Sequence, residues 1–553
     1  PRLVLLSQLV RGESERCSGK MIAAENTFRE VFRHAAREEH PQIAWIAANA
    51  LGLVAKKQND FPRAENYFRK AVEIIESLRS PLAADEFRTA FFTDKLAPYQ
   101  NLADICRHEE SRISESFVWI ERARSQSLLD LLADSNHQEI LLDDASLQTK
   151  LDHLREKLNW FYNRLTRPIS EIGAAESEIE NIQDEIRRHE NEINALILHS
   201  QATRENFVRR GNNFDLGQLQ KALGKKRVLI EFAEFDGRFA AFIIGETSVK
   251  LIEKLGSAPE IQAVLEQLHF QFATLRYGTA NLQKHLSLLK KRADHLLQTL
   301  YNLLLLPLED LIAEKHLIIV PAKNLHYVPF QALRRGEKYL IENCEVSFAP
   351  SATVLQNLLQ RDSKVIKKVL AVGFADERVP QVEHEVENLA NVLPHTTVLA
   401  GASATFAAVR ETLQNEFFNL LHLACHGQFR AENPLFSSLH LADGWVTVRE
   451  VAKLRLENAL VVLSACETGL SQIAAGEELL GLIRGFLAAG ANTLIISLWT
   501  VNDAATADLI GNFYQNLKSE SSLTASLRAA QIKFIEQDAH PYLWAPFILT
   551  GRW

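Results

Sequence analysis

The chain has 553 residues, 47% of them apolar, and sets 61 Lys and Arg against 69 Asp and Glu for a net charge of −8. That is material for several domains of roughly 150 residues each, and the acidic balance counts against a general nucleic-acid binder, so direct nucleic-acid binding is not expected. The five cysteines, Cys17, Cys106, Cys344, Cys425 and Cys466, are few and scattered; they form neither a disulfide framework nor a Cys-x-x-Cys metal pattern and point to a reducing compartment.

No signal peptide and no apolar run of about 18 residues is visible, so a cytoplasmic protein without a membrane segment is expected. Pro1 is not an initiator residue, and the chain reads as a piece of something longer. Its first 80 residues repeat. Ala24-Glu25-Asn26 and Phe28-Arg29 recur as Ala64-Glu65-Asn66 and Phe68-Arg69, and Gly12 recurs as Gly52, each at an offset of 40. Each unit reads as two helices. The Gly, Ala and Phe positions resemble a tetratricopeptide repeat, although the period is longer than usual. Small residues let paired helices approach, and Phe28 and Phe68 fill the space between them. Such repeats bury their faces against neighbours, so further repeats upstream are expected. Residues 85–135 continue helical, and 1–135 is taken as a repeat domain that binds a regulatory protein or complex.

A heptad stretch follows. Leu147, Leu151, Leu154, Leu158, Phe161 and Leu165 are spaced 4, 3, 4, 3, 4; Arg167-Pro168 interrupts, and Ile172, Ile179, Ile186, His189 and Ile193 resume the seam. This predicts an antiparallel helical hairpin or short coiled coil over 136–212, serving as a spacer. His189 is read as a tolerated polar seam residue.

From about Leu216 strands alternate with helices. Arg227–Ala233 and Arg238–Gly245 flank Asp236-Gly237, a hairpin signal, and 248–253 is a third strand. Helices follow over about 257–275 and 280–306. Further strands are expected at 317–321, 368–373, 420–425, 459–465 and 494–498, with helices at 383–393, 405–413 and 503–518. That order predicts an α/β domain over 213–553 with a mainly parallel sheet flanked by helices, hence a multidomain protein with an all-α N-terminal part.

Two of those strands end on reactive residues. His426-Gly427 closes the run Leu420–Cys425, and Cys466 closes the run Ala459–Ala465. Catalytic groups in α/β proteins sit at the carboxyl ends of parallel strands. A cysteine attacks a carbonyl as its thiolate, and a nearby histidine takes the thiol proton. The resulting oxyanion needs donors aimed at it; the Gly427 and Cys466 N–H groups are the candidates. Taken alone, a buried cysteine and a strand-ending His-Gly turn also fit a structural role. Cys425 and His422 are read as core, and His326 as structural. No His/Cys/Asp/Glu cluster has zinc spacing, and no phosphate-cradling glycine loop is present. No metal or cofactor is expected.

The wider strings resemble one family. Leu421-His422-Leu423-Ala424-Cys425-His426-Gly427 with Leu463-Ser464-Ala465-Cys466-Glu467-Thr468-Gly469 is similar to the CHAT domain, a caspase-like, separase-related peptidase module often found behind tetratricopeptide repeats. The likeness extends to Leu325-His326-Tyr327-Val328-Pro329-Phe330, Gly485-Phe486-Leu487-Ala488-Ala489-Gly490, Ser497-Leu498-Trp499 and His540-Pro541-Tyr542-Leu543-Trp544. It implies a caspase-like fold with an N-terminal subdomain at 213–360 and an active subdomain at 361–553. It implies a cysteine endopeptidase with Cys466 as nucleophile and His426 as base, acting on a protein substrate under control of the repeat arm. Asp503 would stand near the S1 pocket, or cap its helix, and Trp499 would line the substrate cleft or pack beneath it. A bacterial defence or cell-death role is the implied setting. The alternative is a catalytically silent adaptor that binds through its repeats.

Overall fold

In the computed structural model, residues 2–37, 40–79, 95–134, scattered positions between 149 and 192, 214–276, 285–313, 315–362, 366–376, 382–428, 437–464, 477–499, 503–518 and 522–553 are described. They fall into two units, Pro1–Asp130 with Asn136–Asn213, and Leu131–Ser135 with Phe214–Trp553.

In the first unit, α1 (Arg2–Cys17) and α2 (Met21–Arg37) form one helical hairpin, and α3 (Pro41–Lys57) and α4 (Phe61–Arg79) form the next. The glycine of each first helix faces the phenylalanine of its second, Gly12 with Phe28 and Gly52 with Phe68. Both rings are buried, as are Ala24 and Ala64 at equivalent positions. The repeat legible in the sequence is thus a repeat of packing. A further hairpin, α5 (Ala97–Arg107) and α6 (Ile113–Asp134), follows. Arg112 ties α6 to α4 by pairing with Glu65 at 2.8 Å and Glu115 at 2.9 Å. Arg69 reaches Glu65 at 2.7 Å. The guanidinium groups of Arg69 and Arg122 lie over the Trp119 ring, 5.0 Å and 4.6 Å from its centroid. Part-exposed pairs of this kind contribute about 0–1 kcal/mol each, whereas each fully buried large side chain contributes about 1.5–3 kcal/mol. Burial therefore dominates, and the ion pairs set the register between hairpins.

Most of the expected heptad hairpin, including Leu147, Leu151, Leu158 and Pro168, lies outside the described residues. Of the seam positions that are described, His189 is buried; its ring packs on Phe161 with centroids 5.4 Å apart, and its Nδ1 lies 2.7 Å from Glu185 O. Lys150 pairs with Glu192 at 3.3 Å.

The described residues of the second unit form sixteen strands: β1 (Arg227–Phe235), β2 (Arg238–Ile244), β3 (Val249–Ile252), β4 (His316–Val320), β5 (Arg334–Arg335), β6 (Lys338–Tyr339), β7 (Val346–Phe348), β8 (Val369–Phe374), β9 (Thr396–Ala400), β10 (Leu420–Cys425), β11 (Gly427–Gln428), β12 (Ser438–Leu441), β13 (Gly444–Thr447), β14 (Leu460–Leu463), β15 (Thr493–Ser497) and β16 (Phe547–Gly551). Eleven form one sheet in the order β3-β2-β1-β4-β7-β16-β15-β14-β10-β8-β9. All neighbours in it are parallel except β3–β2, β2–β1 and β16–β15. The mainly parallel α/β sheet expected from the sequence is therefore present. It has two parallel blocks that run in opposite directions and meet where β16 pairs with β15. Because β16 also pairs with β7, the last strand of the chain joins the halves.

The β1–β2 hairpin turns at Asp236 (φ 50°) and Gly237 (φ 75°), the two positive φ values that a tight two-residue hairpin needs. Strands β10 and β14 are buried along their whole length, as strands covered on both faces must be. Helices start on side-chain caps: Asp215 accepts from Gln218 N–H, Ser351 from Val354 N–H, Thr405 from Ala408 N–H and Ser522 from Ala525 N–H, each worth about 1 kcal/mol. The sequence did not announce β7, β9, β16 or the small sheet β11-β12-β13. No helix among the described residues is long and apolar enough to cross a membrane.

Candidate active site

Strand β10 delivers His426 at its carboxyl end, where the backbone leaves the large sheet and enters β11 of the small one. The His426 side chain is 4% exposed. β10 lies between β8 and β14 and is parallel to both. Its register with β14 pairs Leu420 with Leu460 and Leu423 with Leu463, and Ser464 N–H donates to Leu423 O at 3.1 Å, one step beyond the strand.

Gly427 opens β11, opposite Leu439 of β12, with Gln428 opposite Ser438. His440 N–H donates to His426 O at 2.8 Å. Hydrogen-bonded and non-hydrogen-bonded pairs alternate along an antiparallel ladder. The bond at the 426–440 level makes Gly427–Leu439 a non-hydrogen-bonded pair, so the Gly427 N–H points away from β12. Since β11 is the edge of this sheet, the ladder leaves that donor unused.

Rings surround His426. Trp445 meets it edge-to-face, with centroids 5.5 Å apart and planes at 75°. His440 stacks on Trp445 at 4.6 Å and 17°. Phe374 at the end of β8 meets His440 edge-on at 5.2 Å, and Asp376 Oδ2 lies 3.3 Å from His440 Nδ1. Sequence reasoning missed Trp445, His440 and Asp376. A signal for the first two was present: Asp443-Gly444 between short apolar runs is the same hairpin dipeptide as Asp236-Gly237.

Cys466, with Gly469 and most of the segment 471–478, lies outside the described residues. Asp503 opens the helix Asp503–Asn516, and its side chain also lies outside them. Trp499 has no exposed surface; its indole packs tilted at 37° against Phe272 with centroids 4.7 Å apart and donates from Nε1 to Tyr542 O at 3.1 Å. It presents a packing surface beneath the end of β15 rather than a face to solvent. His422 is fully buried, with Nδ1 2.9 Å from Tyr514 Oη and Nε2 3.2 Å from Glu385 Oε1. The second contact is close enough for an ion pair but lacks hydrogen-bond geometry, since both atoms stand without a hydrogen bond. Burial, with Glu385 close by, pushes the Tyr514 hydroxyl well above its usual range. Cys425 is buried. Among the described residues no group of three or more His, Cys, Asp or Glu side chains is placed to hold a metal ion.

The segment that carries His426, the β10–β14 pairing and β16 falls wholly within residues 294–552, and those residues match the family model of the CHAT domain. Residues 294–552 are a CHAT domain. Strands β1–β3 and the helix Ala258–Arg276 lie before the matched part of the CHAT domain, although β1 pairs directly with β4 inside it. Over 109 residues the chain is 36% identical to tetratricopeptide repeat protein 28 of Mus musculus and of Homo sapiens; the match takes in 19% of this chain and 4% of the length of those relatives. Two crystal structures of the Saccharomyces cerevisiae separase–securin complex align with 98% of this chain and 53% of theirs, at 11% identity and TM-scores of 0.46 and 0.43.

Proposed function

We propose that the CHAT domain is a cysteine endopeptidase with Cys466 as nucleophile and His426 as general base. The observation that carries this is the register of β10 with β14. It pairs residues 40 apart (463 − 423), and the same 40 separates His426 from Cys466 (466 − 426). Neighbours in register on parallel strands share a face.

His426 takes the thiol proton, and the Cys466 sulfur bonds to the scissile carbonyl carbon. The oxyanion accepts hydrogen bonds from the Gly427 and Cys466 N–H groups, a stabilisation of about 3–4 kcal/mol per donor. The imidazolium then protonates the leaving amine. Water, deprotonated by His426, releases the acyl group and restores the thiol. Asp503 is the candidate S1 acid, which would select Arg or Lys at P1, and Trp499 packs beneath the substrate cleft. The substrate is a protein. The helical repeats recruit a regulatory protein or complex whose binding reaches the segment 471–478, and the setting is the cytoplasm, in a defence or cell-death response.

The test is Cys466→Ala beside the unaltered chain against a protein substrate library, together with an electrophilic activity probe. Cleavage and labelling of Cys466 lost in the variant are expected. Equal cleavage by both proteins would overturn the dyad. Absence of labelling at Cys466 under every activating condition would favour the silent adaptor, in which the repeats alone do the work.

A further inference from the structure

We infer that Trp445, braced by His440, is a positioning residue for the His426 imidazole. The inference rests on His426 being the base proposed above. Its grounds are geometric. The pairings of the small sheet put His440 opposite Trp445 on β13 and, by the His440 N–H to His426 O bond, opposite His426 on the β11 side. Three ring-bearing residues therefore occupy one row across three strands. Residues directly opposite on neighbouring strands project to the same face, so the row is a consequence of register and would be lost by a slip of one residue.

The row is pinned at its middle. His440 is held on one side by the Trp445 stack and on the other by Asp376 and Phe374, which belong to the end of β8. β8 is itself the neighbour of β10, with Phe374 opposite Cys425, the residue before His426. The small sheet is thus fastened to the large one both through the backbone at His426–Gly427 and through the His440 contacts. Trp445 receives its orientation from that brace and passes it to His426 by an edge-to-face contact at 5.5 Å and 75°. An imidazole that takes a proton from a thiol and then delivers it to an amine has to keep its plane and reach through both steps, and misplacement by about 1 Å can cost about 100-fold in rate. Fixing the orientation of the base is a general need of Cys-His and Ser-His sites, and the Trp445 ring contact serves it here.

The test uses the full chain with histidine-labelled rings and three variants, Trp445→Phe, Trp445→Leu and His440→Gln, with His426→Gln to assign the signal. The first readout is the His426 ring resonance in the NMR spectrum. Trp445→Leu is expected to shift it and split or broaden it, and Trp445→Phe to keep one sharp signal. The second is the rate of iodoacetamide alkylation at Cys466, read by mass spectrometry. It is expected to fall about tenfold in Trp445→Leu, less in His440→Gln, and to recover in Trp445→Phe; tenfold lies within the range that an aromatic pair supports. An unchanged His426 signal in folded Trp445→Leu, or alkylation at the unaltered rate, would overturn the positioning role while leaving the dyad intact. Protein cleavage that survives Cys466→Ala would remove the dyad itself, whatever the ring signal does.

Discussion

Gly12 lies beneath the ring of Phe28, so close that a methyl group added to the glycine would fall 2.6 Å from Cε1. Gly52 stands in the same relation to Phe68, forty residues on. The pairs explain why the repeat keeps glycine in one helix and an aromatic ring in the next: the ring occupies the volume that a side chain would need. Gly52→Ala is expected to destabilise the repeat unit by about 1–3 kcal/mol through overpacking. Phe68→Leu leaves room for the methyl, so the double variant should lose less than the sum of the singles, by about 0.5–3 kcal/mol. Urea unfolding of the four proteins, with hydrogen exchange read in α3 and α4, measures this. Additive losses would show that the glycine serves some other contact.

Gly427 offers a second test of geometry. Its N–H points away from the β12 ladder, so removing that hydrogen should leave the small sheet in place; proline is tolerated at edge positions of this kind. Gly427→Pro is expected to lower kcat about 10²–10³-fold, the usual loss for one oxyanion donor. Gly427→Ala, which keeps the N–H, should stay within about tenfold of the unaltered protein. Steady-state kinetics on a cleaved substrate, with hydrogen exchange at Ser438–Leu441 as the check on the sheet, separates the two. Equal losses in both variants would count against an oxyanion role for this group.

Acid should weaken the two units in different pH windows. In the second unit, burial lowers the pKa of His269 and of His540 from 6.5 to about 4. Both ring nitrogens of His269 are buried without a hydrogen bond, and His540 Nδ1 accepts from Tyr542 N–H at 3.1 Å, which only the neutral ring allows. These rings are neutral in the fold, and the unfolded chain takes up their protons first. Their contribution is present in full above about pH 6.5, is lost as pH falls from 6.5 to about 4, and loses no more below that. Each ring accounts for up to about 3 kcal/mol.

In the first unit the order reverses. Burial pushes Asp104 up, but Lys56 and Arg107 outweigh it and hold the carboxyl below its ordinary value of 3.8. Glu65 is likewise pushed up by burial and drawn below 4.5 by Arg112 and Arg69. That stability is present above the ordinary carboxylate range and goes only as pH falls through the lowered values. Hydrogen exchange between pH 7 and 4 is therefore expected to show the second unit loosening first. Loss in the first unit at higher pH than in the second would contradict the assignment.

The cysteines separate by environment. Burial pushes the thiols of Cys106 and Cys344 up to about 12, so essentially no thiolate is present at neutral pH. Cys17 is exposed. Brief iodoacetamide treatment at pH 7.5 should label Cys17 and spare Cys106 and Cys344, as read by peptide mass spectrometry. Labelling of Cys106 at the rate of Cys17 would mean that the α4–α5–α6 packing opens readily.

Asp236-Gly237 and Asp443-Gly444 show how unevenly the sequence could be read. The first lies between two long runs, seven and nine residues of strand, and announces its hairpin. The second straddles its turn, which is Ala442-Asp443 with Gly444 already opening β13, and the two strands have four residues each, too short for an alternation to stand out, so the Trp445 row went unseen with it. The same holds for β9 and β16. β9 is a half-buried edge strand. β16 is buried throughout, so it carries no two-residue alternation, and nothing local says that its neighbours are β7 and β15.

The sequence by itself determined the repeat at an offset of 40, the buried runs that become β10 and β14, and the placing of His426 and Gly427 at a strand end, because each is a local pattern of side-chain size and hydrophobicity. Only the tertiary structure decided that the sheet has two opposed parallel blocks joined by the last strand, that the Gly427 N–H is spared by its ladder, and that Trp445 and His440 stand beside His426. These depend on which strands pair and in what register, and pairing between distant segments is fixed by burial of the whole sheet rather than by any one of its strands.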